Sequence, residues 1–389
     1  MNPNPLLGVI FHWLGGLSSA SFYVPYKRIR LWSWEIFWLT GGIFSWVIAP
    51  WIGALIGTKD LFSVLAAGSM VPATVLGITM PCYVACILCG ALWGAGGLTF
   101  GLTMRYLGLS LGMAVALGLT TVIGTLGPPL LNGTLGAVAA KPGSLYTFLG
   151  IAVVLVAILI VALAGHFKEK EVPVKEKEVL VKEMELQGKE KALPGDQTGV
   201  SEFNLTKGLL IAVFSGVMSS FFAFGLDFGT PIKDASLKAG TGQLWGGLSV
   251  LCVVLIGGFA TNLVCSGYLI LKNGSAAQWW GKPRAAADAR AETIPLGTNY
   301  LLAALGGTLW YFQFFFYTMG ESQMGRFGFS SWTLHMGSII LFSTLWGFAL
   351  SEWKGTSART RALVWLGILS LVASTIIIGY GNYIASKTG

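Results

Sequence analysis

Charge is what this 389-residue chain has least of: 11% of its residues are Asp, Glu, Lys or Arg, against roughly 25% in an ordinary soluble domain. So few charges cannot clothe a water-facing surface, which excludes a conventional soluble globule. Histidine is scarcer still, with three in the chain, so an intramembrane hydrolase would have little to work with. The five cysteines show no zinc-ligand spacing. Cys82, Cys86 and Cys89 share one helix face in an apolar run and, with Cys252 and Cys265, read as packing residues. Zinc-metalloprotease, phosphate-loop and Gly-x-Ser-x-Gly patterns are missing as well. Gly94-Ala95-Gly96-Gly97 lies in an apolar run, where close helix packing explains it. No enzyme activity, cofactor or metal is therefore expected. The first apolar run has no basic region before it and carries His12 in its body, so it reads as a retained span and not as a cleaved leader.

What is present is apolar: 54% of residues are hydrophobic, with 15 Trp and 53 Gly. Trp collects at bilayer interfaces and Gly lets helices approach closely in lipid. The chain reads as an all-α integral membrane protein with ten spans, at 6–26, 35–57, 74–98, 108–131, 145–165, 206–226, 243–271, 297–319, 329–351 and 362–385. Most are long enough to cross about 30 Å of hydrocarbon at 1.5 Å per residue. The stretch 74–131 is the hardest to divide, since only Arg105 and the Gly101/Gly108 region interrupt it.

The net charge of +8 forms no patch on a polar domain, so nucleic acid is not an expected partner. The basic residues lie between apolar runs, where they set orientation. With the N-terminus outside, 19 of the 25 Lys and Arg fall in cytoplasmic loops, which places both termini on the periplasmic side. Seven Lys and seven Glu alternate between Lys168 and Lys191 and read as a soluble linker. It separates a membrane half at 1–167 from another at 205–389, with the linker at 168–204. Gly16-Leu17-Ser18-Ser19-Ala20-Ser21-Phe22 is weakly echoed by Gly216-Val217-Met218-Ser219-Ser220-Phe221-Phe222. Two halves of five spans enter the bilayer from opposite sides, so the expectation is a pair of inverted five-helix repeats around a midplane site.

Polar groups inside apolar runs are where function is sought. His12 and His335 fall at similar depth in two spans of the same direction. Each is either a neutral imidazole bonded across a helix interface or a group that exchanges protons near physiological pH. Gln313 stands alone in the aromatic run Trp310-Tyr311-Phe312-Gln313-Phe314-Phe315-Phe316-Tyr317. Sugars are held by such mixtures of flat apolar faces and amide, hydroxyl or imidazole groups. The candidate substrate-binding residues are His12, Tyr23, Asn262, Trp310, Gln313, Trp332 and His335. Those for proton coupling are His12, Glu35, Asp227 and His335. Glu35 is also placed for an ion pair with Lys27, Arg28 or Arg30, and Asn299 for a helix cap; Asp227 and Glu321, near outer span ends, are either desolvated acids able to carry a proton or ordinary loop acids. Tyr26 and Arg105 are further candidate polar partners.

Several blocks in register resemble the bacterial L-rhamnose–proton symporter family. They are Phe11-His12-Trp13-Leu14, Phe22-Tyr23-Val24-Pro25-Tyr26-Lys27, Trp32-Ser33-Trp34-Glu35, Trp93-Gly94-Ala95-Gly96 and Gly101 through Gly108. The aromatic run at 310–317, Ser331-Trp332-Thr333-Leu334-His335-Met336 and Glu352-Trp353-Lys354 extend the likeness over nearly all of the membrane portion. The resemblance implies ten spans of the drug/metabolite transporter superfamily and proton-driven sugar uptake across a bacterial inner membrane. Three features depart from the family pattern: the Lys/Glu-rich centre, the Ala/Arg-rich stretch 284–291, and Phe224-Gly225-Leu226-Asp227-Phe228. The expected activity is proton-coupled symport of L-rhamnose or a related deoxyhexose. The partners are sugar, protons and lipid. A uniporter or exporter of another metabolite, a sodium-coupled carrier, and a membrane sensor or scaffold are the alternatives.

Overall fold

The computed structural model describes residues 3–75, 77–187, 204–282, 293–351 and 353–387. α1 (Pro5–Ser21) starts where sequence rules put a start: the Asn4 side chain accepts from the Leu7 amide, and Pro5 sits in the first turn. α2 (Tyr23–Tyr26) extends it by one turn. α3 (Trp34–Ile43) and α4 (Ala49–Gly57) are joined by a π turn at Phe44–Ile48. Pro50, the second residue of α4, cannot donate to the carbonyl a turn earlier, which favours the wider turn.

α5 (Leu61–Ser69) leads into an antiparallel hairpin, β1 (Pro72–Val75) with β2 (Ile78–Pro81). Gly77, at φ +83°, supplies the left-handed turn residue. Residues 74–81 are therefore not the start of a span, as the hydropathy of 74–98 suggests. The chain then runs through α6 (Cys82–Leu131), α7 (Leu135–Ala139) and α8 (Ser144–Gln187). α9 (Leu205–Phe228), α10 (Thr230–Lys238) and α11 (Leu248–Asn273) follow. α12 (Leu296–Gln323), α13 (Ser331–Ala349) and α14 (Ala358–Lys387) complete it. Apart from the hairpin, the described residues form a helical fold.

Among the described residues, eight helical stretches are long and apolar enough to cross a membrane. α12 and α13, at 28 and 19 residues, are long enough but carry Gln313, Glu321 and His335, and fall short of that apolarity. α8 runs unbroken past residue 167 to Gln187, so the charged segment begins as helix; residues 188–203 lie outside the described residues, as does the stretch 284–291.

α6 is assigned as one helix of 50 residues, yet it doubles back. The Ser215 hydroxyl donates to the Gly96 carbonyl (2.8 Å), and the Thr120 hydroxyl to that of Gly216 (3.1 Å). A straight helix would set Gly96 and Thr120 about 36 Å apart. Both meet neighbouring residues of α9, so the reversal lies between them, at the Tyr106 level, where Lys207 donates to the Tyr106 hydroxyl (2.8 Å). The side chain of Arg105 lies outside the described residues.

The two ends of the chain are interleaved. α1 packs on α12 and α13, with the Ser338 hydroxyl donating to the His12 carbonyl (2.8 Å). α9 packs in turn on both limbs of α6. Glycines set these distances: a Cβ on Gly16 would fall inside Ser338, and one on Gly216 would sit 2.8 Å from the Ala116 carbonyl oxygen.

Candidate functional site

A cavity of about 250 Å³ opens between the second limb of α6, the end of α9, α12 and the start of α13. Tyr317 and Trp332 close its inner end, with ring centroids 5.7 Å apart. The Trp332 indole N–H donates to the Thr120 carbonyl (2.9 Å), which fixes the ring. Beside it the hydroxyls of Thr125 and Thr333 are hydrogen-bonded at 2.7 Å, tying α6 to α13. At the mouth, Asn132 donates to Asp227 (2.9 Å) and Lys233 pairs with Glu321 (2.6 Å).

His12 and His335 lie beneath this floor. Both are fully buried, with ring centroids 6.3 Å apart and at 5.5 and 5.3 Å from that of Tyr317. Neither nitrogen of either ring has a hydrogen-bond partner among the described residues. An orphaned buried polar group costs roughly 1–3 kcal/mol, and retaining four such atoms in one layer calls for a reason beyond packing. Gln313 lies one turn from Tyr317 on α12, is 3% exposed, and also leaves its amide nitrogen unpaired.

The remaining candidates are elsewhere. Trp310 packs against Phe22 (4.3 Å) and Phe314 (6.2 Å) on the far side of the aromatic run from the cavity. Asn262 is engaged: it accepts from the Trp38 indole (3.0 Å) and donates to the Gly258 carbonyl (2.8 Å). Tyr23 is 48% exposed and packs at a tilt against Phe22. Tyr26 is buried between Phe22 and Phe37. Glu35 is buried and accepts from Asn273 (3.0 Å) and Ser275 (2.8 Å), remote from the cavity. Asn299 clamps the Arg30 backbone through two hydrogen bonds and is not an N-cap; that position is Pro295. The structure thus brings together His12, His335 and Trp332, places Gln313 near them, and puts Asp227 at the mouth. It does not bring Tyr23, Asn262, Trp310 or Glu35 to the cavity.

Sequence reasoning passed over Tyr317, Thr125, Thr333, Asn132 and Lys233. Tyr317 carried a usable signal, a hydroxyl four residues after Gln313 on the same helix face. The threonines carried none, because hydroxyls recur throughout membrane helices and bond their own backbone, as Thr344 does to Ile340. Among the described residues no three His, Cys, Asp or Glu are grouped as a metal site, and the cysteines are free thiols.

The same sequence matches the family model described as L-rhamnose-proton symport protein, over residues 1–188 and 186–384. The L-rhamnose-proton symporter of Cronobacter sakazakii is 35% identical over 376 residues, 96% of this chain and 97% of that protein. That of Yersinia pestis is 34% identical over 382 residues, 98% and 99% of the two. With likeness running end to end over this multi-helix membrane architecture, the chain belongs to the L-rhamnose-proton symport protein family, whose members are transporters and not enzymes.

Proposed function

We propose that the protein imports L-rhamnose or a closely related deoxyhexose together with protons across the bacterial inner membrane. In this reading ten helical stretches cross the bilayer as two inverted halves, 1–167 and 205–389, with both termini periplasmic. The observation that carries it is the layer of unpaired imidazoles, His12 and His335, directly beneath a cavity large enough for one small solute. Interior polar groups with no partner are what a carrier needs if they are to take up a proton in one state and release it in another.

Two aromatic pairs support the inverted halves. Phe22 meets Trp310 at 4.3 Å, and Phe222 meets Trp93 at 5.0 Å. Phe22 and Phe222 occupy the same place in the Gly16 and Gly216 echo, so each half lends the other one ring of a matching contact. The cavity lies on the Phe222 side, while the space beside Phe22 is only about 10 Å³. That asymmetry fits a carrier open to the periplasm and shut towards the cytoplasm, where Asn273, Ser275, Gln278 and Asn299 fasten residues 30–35. Sugar and proton together would favour an occluded state from which the opposite side opens. Glu35, already held by two donors, is a poorer proton carrier than the histidines.

The test is uptake into proteoliposomes under an imposed pH gradient. Addition of L-rhamnose should alkalinise the medium, and collapsing the gradient should abolish accumulation. Accumulation that needs sodium, or sugar flux without proton movement, would refute the mechanism.

A further inference from the structure

The mouth of the cavity holds an uneven set of charges. Asp227 uses one carboxylate oxygen to accept from Asn132, and Glu321 uses one to pair with Lys233. Among the described residues no hydrogen bond occupies the second oxygen of either group. Lys233 has further N–H donors to give. The set therefore offers two free carboxylate oxygens and at least one ammonium N–H, with a net negative sign.

Tyr317 supplies an independent observation. It is 6% exposed, lines the cavity, and its hydroxyl makes no hydrogen bond with a described residue. Asp227 and Glu321 line the same cavity, so the buried phenol shares the space in which those carboxylates end. Apolar faces complete the chamber: Trp332 lies at its floor and Phe329 at its side. A carboxylate oxygen accepts from a hydroxyl, a phenol both donates and accepts, and an indole face takes a C–H surface.

We infer that Asp227, Glu321 and Tyr317 form the sugar-docking site of this outward chamber, selecting an uncharged polyhydroxylated ring with one apolar edge. The inference rests on the transport reading and gives its site a substrate class. Adjacent hydroxyls of the ring donate to Asp227 and Glu321, the Tyr317 phenol bridges ring and carboxylates, and the deoxy edge lies on Trp332. Sugar acids are rejected, because a third carboxylate would enter a chamber whose described side chains already carry two carboxylates against one ammonium. Asp227 comes from the end of α9, whereas Tyr317 and Glu321 come from one face of α12, so the preference within the deoxyhexoses is set where these two helices meet.

Equilibrium binding of labelled L-rhamnose to the full chain in lipid nanodiscs tests this, with the melting temperature of each variant as the folding control. Tyr317→Phe and Asp227→Asn are each expected to weaken binding by about tenfold or more, the effect of losing one hydrogen bond to a charged or bridging group. Tyr317→Phe should melt like the parent, since the lost hydroxyl holds no partner among the described residues. A uronic acid should compete at least about tenfold more weakly than rhamnose. Unchanged affinity in both variants, or a uronic acid that competes as well as rhamnose, would overturn the site while leaving symport intact. A parent protein that binds no neutral sugar would overturn both readings.

Discussion

His12 of α1 and His335 of α13 face one another with ring centroids 6.3 Å apart, in a layer where neither imidazole has a hydrogen-bond partner among the described residues. Single unpaired atoms occur elsewhere in the core, on Trp46 and Tyr311 for example, but here two titratable rings with all four nitrogens unpaired face each other, and this layer carries the first two predictions.

His12→Leu should stabilise the fold. Removing two orphaned nitrogens and leaving an apolar side chain of similar bulk should gain about 1–3 kcal/mol. The same variant should lose uptake. Thermal unfolding in detergent checks the first part; a melting temperature below that of the parent would contradict it.

His335→Gln should separate sugar movement from proton movement. Exchange of labelled for unlabelled rhamnose across a proteoliposome membrane needs the sugar site alone and should persist. Rhamnose-driven alkalinisation should vanish. If the variant retains the parent's proton-to-sugar ratio, His335 has no part in coupling.

Gly16→Ala should cost about 1–3 kcal/mol through overpacking against Ser338. Gly216→Ala should behave alike, since its Cβ would press on the Ala116 carbonyl. Gly97, where an added Cβ meets nothing within 4 Å, is the control and should take alanine with a change within about 0.5 kcal/mol. Equal losses at all three positions would dismiss the close-approach argument.

Glu171 belongs to the charged segment yet caps the start of α14. It accepts from the Ser357 amide (2.6 Å), the Ser357 hydroxyl (2.8 Å) and the Thr360 hydroxyl (2.7 Å). Glu171→Ala should destabilise the fold by about 1–2 kcal/mol, the worth of a good helix cap. Deleting 188–203 spares these contacts and should leave the melting temperature unaltered. An equal loss in both would show that the cap is not the source.

The sequence reading succeeds where lipid imposes a rule and fails where geometry decides. Long apolar runs reveal helices because backbone groups in hydrocarbon must be satisfied internally. His12 and His335 are conspicuous for the same reason. Residues 74–81 mislead, since Val75, Ile78 and Met80 are as apolar in a hairpin as in a span. Among residues that look like sugar ligands by type, Asn262 is taken up by Trp38 and Gly258, Phe22 packs on Trp310, and Tyr23 stands away from the cavity. Residue type reveals what a side chain can do. Only packing reveals whether anything is left over for a solute.

The interleaving of α1 with α12 and α13 has a consequence for how the protein is made. A ribosome delivers the chain from its N-terminus, so α1 reaches the bilayer long before the helices that will enclose His12 exist. The Gly96 region likewise waits for Ser215. A nascent chain halted before residue 296 is thus an unfinished object, apolar enough to insert but with its imidazole turned to lipid. Expressing the two ends as separate polypeptides should let each rescue the other from proteolysis, because the surfaces they share are the ones neither can cover alone.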